Sequence, residues 1–262
     1  NYHYPSDENA YRQGKRRLVM DDFFYFQLVL ALMRERNRHE ERGISFIPNN
    51  TLSSKYFEAL PYKLTGAQIR IIAEVIDDMR RDRPMNRLVQ GDVGAGKTEI
   101  AMAAILVALE NNYQVAIMVP TEILASQHYH KMLKYLLPLG VRVELLVGSL
   151  KAGTKARKQQ LVSSGAAELV VGTHALIQEK VNYDRLGLVI IDEQHRFGVL
   201  QRRALTKKSG EGVDLLVLTA TPIPRSLTLT LYGDLDKSIL DELPPGRIPI
   251  KTVWIKKIDP HW

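Results

Sequence analysis

Gly91-Asp92-Val93-Gly94-Ala95-Gly96-Lys97-Thr98 fits the pattern G-x-x-x-x-G-K-[ST] without a mismatch. The strand-like stretch Arg87 to Gln90 leads into it and the alanine-rich stretch Thr98 to Glu110 leads out, which predicts strand, tight loop and helix in succession. From average residue usage, a chance match in a chain of this length is on the order of one in a hundred. The matching flanks lower that further. Glycines at 91, 94 and 96 let backbone N–H groups of the loop, including those of Asp92, Val93 and Ala95, converge on phosphate oxygens where side chains would collide. The helix N-terminus adds its positive end at the same place. Lys97 is then expected to hold the β- and γ-phosphates of a nucleotide, and Thr98 to set its hydroxyl on Mg²⁺.

Around this loop, short apolar runs recur at Leu88-Val89, Val115 to Val119, Val143 to Val147, Leu169 to Val171, Leu186 to Ile191 and Leu215 to Leu218. Each is a few residues long, several are β-branched, and helical stretches separate them. One such stretch, Gln68 to Met79, places Ile71, Ile72, Val75, Ile76 and Met79 at helical spacing. Continuous apolar strands alternating with helices predict an α/β fold with a mostly parallel sheet covered on both faces. Residues 1–58 differ from the rest, so the expected organisation is a helical lead-in over 1–58 and an α/β domain over 59–262. Phe23 to Met33 reads as a buried helix, flanked by Lys15-Arg16-Arg17 and the basic run Arg34 to Arg42. It falls short of the roughly 20 apolar residues of a membrane span.

Leu188-Val189-Ile190-Ile191 ends abruptly in Asp192-Glu193. In an open parallel sheet ligands sit beyond the carboxyl ends of the strands. Taken alone, the pair reads as an exposed turn after a core strand. Beside the phosphate loop it reads as catalytic, with Asp192 meeting Mg²⁺ through water and Glu193 orienting or deprotonating the attacking water. His195 reads equally well as a switch between nucleotide and nucleic acid or as a polar turn residue. Thr219-Ala220-Thr221-Pro222-Ile223-Pro224-Arg225 follows another apolar run, and the small hydroxyls of Thr219 and Thr221 can link the Mg-bound carboxylates to neighbouring backbone.

The net charge of +7 permits a polyanionic partner. The chain has no cysteine, which removes disulfides, thiolate metal sites and cysteine nucleophiles and fits a reducing cytoplasm. It begins at Asn1 and stops soon after the strand-like Lys251 to Lys257. Either end could be a cut made for expression, with further functions outside these residues.

Together these motifs resemble the superfamily-2 helicases, and within them the RecG family of bacterial ATP-dependent DNA helicases. That likeness is carried by Leu60 to Gln68, Gln90 to Gly94, Asp192 to Val199, Tyr232 to Asp236 and Asp241 to Arg247. The transcription-repair coupling factors share the phosphate loop and Thr219 to Arg225, but they usually carry a second acidic residue at the place of Gln194 and lack the Tyr232 to Asp236 segment. The resemblance implies the first of two RecA-like lobes, with ATP bound between lobes. It implies that Gln68 reads adenine, with Tyr62 or Leu64 packing near the base. Pro120, Thr121, Gly148, Thr173 and His174 would hold phosphates of one DNA strand, giving register without reading sequence. The basic residues Lys151, Lys155, Arg157 and Lys158 either extend that track or form a solvated helix face. The activity implied is ATP-driven remodelling of stalled forks and Holliday junctions in recombination and repair. A second lobe with an arginine for the γ-phosphate and a wedge that grips the junction lie outside these residues. A coupling-factor translocase and a non-catalytic nucleotide-dependent DNA clamp are the alternatives.

Overall fold

The computed structural model describes residues 2–40, 42–178, 180–192, 212–220 and 235–243. The apolar runs form strands β1 (Asn86–Gly91), β2 (Gln114–Met118), β3 (Val143–Leu146), β4 (Leu169–Gly172), β5 (Leu186–Asp192) and β6 (Asp214–Thr219). A further strand, β7 (Asp236–Leu240), carries charges at Asp236 and Lys237 and has no apolar run to announce it. The sheet order is β3-β4-β2-β5-β6-β1-β7, and every neighbouring pair is parallel. Parallel strands need crossovers. Those described run through α4 (Lys97–Glu110), α5 (Glu122–Leu136) and α6 (Ala152–Ser163), while α3 (Gly66–Met79) precedes β1. α4 is buried from Glu99 to Leu109. That all-round burial explains why its small, apolar sequence lacks an amphipathic stripe.

The expected lead-in divides into two parts of different character. α1 (Glu8–Glu40) contains the anticipated apolar helix, but none of its described side chains is buried. Phe23, Phe24, Tyr25 and Leu32 are all more than half exposed. Apolar side chains on several sides of one helix need other elements to cover them, and α1 lacks that cover within the described residues. Residues 43–58 behave otherwise. Phe46 and Tyr56 are buried in the same core as α3 and α4. α2 (Thr51–Glu58) is tethered at its start by the Glu110 carboxylate, which accepts the N–H groups of Asn49, Asn50 and Leu52. A negative charge there also meets the positive end of the helix. The Asn111 amide accepts from Ile47 N at 3.0 Å and donates to Ile47 O at 2.9 Å. This stretch is therefore continuous with the α/β core, although its composition set it apart. Phe46→Ala is expected to destabilise the fold by about 3–5 kcal/mol. Urea denaturation checks this, and an unchanged midpoint would return residues 43–58 to the status of a linker.

β7 is held through side chains as well as its ladder. Arg87 on β1 pairs with Asp78 at 2.7 Å and Glu74 at 3.1 Å, both on α3, and donates to Ser238 Oγ on β7 at 2.7 Å. Beyond β7, Asp241 pairs with Arg70 at 2.9 Å, and Glu242 accepts from Ala67 N at 2.9 Å in the first turn of α3. The sequence Asp241-Glu242 thus anchors the helix that approaches the phosphate loop. Among the described residues no helix is long and apolar enough to cross a membrane.

Candidate functional site

The strand order sorts the site residues along the carboxyl edge of the sheet. β1, β6 and β5 end in the phosphate loop, Thr219 and Asp192. β2, β4 and β3 lead into Thr121, Thr173 and Gly148. One half of the edge therefore carries the residues expected at a nucleotide, and the other half those expected at a nucleic-acid strand.

In the first half lies a cavity of about 500 Å³, lined by Gly94, Gly96, Lys97, Thr98, Gln68 and Asp192 among others. Gly94 and Gly96 adopt φ of 76° and 93°, a backbone region that side chains rarely enter. The φ of Gly96 requires glycine, and a Cβ there would lie 1.9 Å from Gln68 Nε2 and displace that amide. Lys97 Nζ donates to Gly91 O at 2.8 Å and to Asp92 O at 2.9 Å, which holds the ammonium over the loop. Asp92, Val93 and Gly94 are exposed, whereas Ala95 is buried beneath them. Thr98 and Asp192 bring oxygen donors to the same cavity. Gly96→Ala is expected to cost about 1–2 kcal/mol in backbone strain alone and to weaken ADP binding by at least about tenfold. Titration with a fluorescent ADP measures the second effect, and full affinity in the variant would count against the loop as the phosphate site.

Gln68 stands beside the loop but is engaged by the protein on both ends of its amide. Its Oε1 accepts from Thr65 N at 2.8 Å, completing a capping box with Thr65, and its Nε2 donates to Ala95 O at 2.9 Å. It is buried at 2% exposure. Here the side chain straps the start of α3 to the phosphate loop, an arrangement that differs from an amide turned toward a base. Tyr62 and Leu64, left as alternatives by the sequence, separate in space. Tyr62 lines the cavity, while Leu64 packs on the core and lines a neighbouring hollow. The Tyr62 hydroxyl donates to Glu99 Oε1 at 2.9 Å. Burial, and then this bond, hold the phenol well above its ordinary pKa, so it remains a donor.

Three residues of this cavity carry no sequence signal. Glu99, a buried carboxylate on α4, receives Tyr62 and lies 3.6 Å from Lys131 Nζ. Lys131 and His128 lie one turn apart on α5 and both line the cavity. His128 Nε2 is 3.0 Å from Asp192 Oδ2. A histidine and a lysine inside an ordinary helix read as surface residues until β2 and β5 are known to be neighbours.

On the other half of the edge, Thr121 caps α5 by accepting Leu124 N at 3.3 Å. Glu122 binds the neighbouring loop, accepting from Ser149 N at 3.0 Å and from the Ser149 hydroxyl. These bonds hold the Glu122 carboxyl below the usual carboxylate range. Gly148, Ser149 and His174 are exposed and Pro120 is half-buried, whereas Thr173 is buried at 4% exposure. In the loop after β4 it is therefore His174 that stands at the surface. Lys155 donates to Gln178 and Lys158 pairs with Glu144, so these basic residues also serve local contacts. Thr219 is buried at the end of β6. Glu193, His195, Thr221, the stretches 194–199 and 222–225, Tyr232 to Asp234, Pro244 to Arg247 and Lys251 to Lys257 lie outside the described residues.

The family model described as DEAD/DEAH box helicase matches residues 65–230. An ATP-dependent DNA helicase RecG of Synechocystis sp. is 50% identical over 250 residues, covering 95% of this chain and 30% of that protein. The RecG of Streptococcus pneumoniae is 48% identical over 254 residues, covering 97% of this chain and 37% of the relative. A solved structure of RecG bound to a three-way DNA junction superposes with a TM-score of 0.82 at 43% identity, over 94% of this chain and 33% of that one. The chain spans about a third of the length of these relatives. Nearly its whole length is similar to one segment of RecG helicases, and by the family model it belongs to the DEAD/DEAH box helicases.

Proposed function

We propose that this chain is the first motor lobe of an ATP-dependent helicase that remodels branched DNA such as stalled forks and Holliday junctions, in recombination and repair. One observation carries the reading: the phosphate loop with Asp192 and the loops bearing Thr121, Gly148 and His174 occupy adjoining halves of a single sheet edge. A motor needs fuel and track within reach of the same rigid element, and neighbouring parallel strands lie only about 4.8 Å apart. The junction comes from the similar RecG structure and the basic charge of the chain permits it. The coupling-factor translocase and the non-catalytic clamp gain no support from the relatives named above.

In this reading the loop N–H groups and the α4 N-terminus bind the phosphates. Lys97 leaves Gly91 O and Asp92 O to meet the β- and γ-phosphates. Tyr62 flanks the base from its bond to Glu99, and Gln68 reads adenine only after exchanging Ala95 O for the base edge. The residues suit Mg²⁺: Thr98 and Asp192 offer hard oxygen donors to the cavity. That pattern fits an ion that keeps most of its water. When bound, the ion would offset charge on the phosphate oxygens. Glu193 orients the attacking water, and His195, Thr219 and Thr221 link the nucleotide end to the strand end. Pro120, Thr121, Gly148, Thr173 and His174 hold the backbone of one strand. The remaining partners are a second RecA-like lobe and a wedge.

The test is ATP turnover by the full-length protein with and without a synthetic fork. Stimulation by the fork is expected, and turnover indifferent to any DNA would sink the reading.

A further inference from the structure

The strand order leaves one seam, between β2 and β5, where the strand-facing half of the edge meets the nucleotide half. His128 crosses it. The residue belongs to α5, which follows β2 and starts at the Thr121 cap, yet its Nε2 lies 3.0 Å from Asp192 Oδ2 at the end of β5. Both side chains are only 17% exposed, so water competes weakly for the contact. The helix beneath His128 is fixed by burial of Ala125, Met132 and Leu136, which leaves the imidazole little choice of direction. Asp192, in contrast, is the last residue of its strand, and the ladder that fixes its backbone does not fix the plane of its carboxylate. A carboxylate offers about four lone-pair sites. A contact with the imidazole at one oxygen therefore leaves capacity for the water shell of a cation.

We infer that His128 is a positioning residue for Asp192, its imidazole N–H orienting the carboxylate toward the phosphate end of the cavity. The inference rests on the proposed reading of Asp192 as the carboxylate that meets the cation. A residue holding a metal-facing group from behind contributes about 10- to 100-fold to metal affinity. A plain packing role would contribute nothing that depends on metal.

The test uses the full-length protein and a fluorescent ADP, with affinity measured in EDTA and again in excess Mg²⁺, together with kcat and KM for ATP. In His128→Ala, affinity in EDTA should be unchanged, which also reports a folded site. The tightening produced by Mg²⁺ should fall by about tenfold or more, and kcat should fall while KM in saturating Mg²⁺ moves little. His128→Gln keeps an N–H donor at similar reach and should recover most of the tightening. If alanine disturbs the fold, His128→Leu, similar in bulk and lacking a donor, replaces it in the comparison with His128→Gln. Full Mg²⁺-dependent tightening in the donor-free variant, or equal loss in the glutamine variant, overturns the inference. Asp192→Ala separates the two levels: if it too keeps the tightening, the reading of Asp192 has failed and the inference falls with it.

Discussion

Lys97→Ala is expected to lower ATP turnover in the full-length protein by at least about 10²- to 10³-fold, the scale set by loss of one charge-stabilising donor. Its ammonium now rests on two neutral carbonyls, Gly91 O and Asp92 O. Moving to phosphate oxygens exchanges neutral acceptors for anionic ones and so adds an ion pair to each bond. Alanine removes the cation yet favours the helix that begins at this position. The loss should therefore appear in turnover and not in a thermal melt. Lys97→Arg is not expected to restore activity. A planar guanidinium is broader than an ammonium and would need room in a loop whose Gly96 already lies against Gln68. Steady-state kinetics with and without a fork decide the matter, and near-normal turnover by the alanine variant would remove the phosphate loop from the chemistry.

Residues 1–262 by themselves are expected to bind ATP but to hydrolyse it about 10³- to 10⁵-fold more slowly than the fork-stimulated full-length protein. The cavity is lined by three lysines, Lys63, Lys97 and Lys131, and among the described residues by no arginine. Lys131 already lies near Glu99. The relatives are about three times as long as this chain, and the resemblance implies that their second lobe brings an arginine to the γ-phosphate. The measurement compares single-turnover hydrolysis by the two proteins at saturating ATP. Equal rates would overturn the two-lobe reading and direct attention to Arg196, Arg202, Arg203, Arg225 and Arg247, which lie outside the described residues.

Much of this molecule was legible from local patterns. The loop at 91–98 and its flanking elements were readable because Gly-x-x-x-x-Gly-Lys-Thr encodes a backbone conformation within eight positions. β2, β4, β5 and β6 were readable because a strand buried on both faces is apolar almost throughout, and β1 and β3 because each keeps a short apolar run. β7 was not, because an edge strand pairs on one side only and tolerates the charges of Asp236 and Lys237. α1 was recognised as apolar, but apolarity says that a helix seeks a partner and not where the partner is. Phe46 illustrates the reverse. One aromatic in a polar stretch gives no periodic signal, yet it is buried in the core, where Asn111 and Glu110, more than 50 residues away, bind the chain just after it.

The sequence by itself determined the chemistry that a local run of residues can encode: a phosphate loop, a carboxylate at a strand end, and an α/β order that sends both to one edge. Only the tertiary structure decided which strands are neighbours. That placed β2 against β5 and so brought His128 to Asp192, gathered Tyr62, Glu99 and Lys131 at one wall of the cavity, and engaged the Gln68 amide with Ala95. The physical reason is that hydrophobic patterning specifies burial without specifying adjacency. Strand order depends on how crossovers pack, and contacts spanning many residues follow from that packing alone.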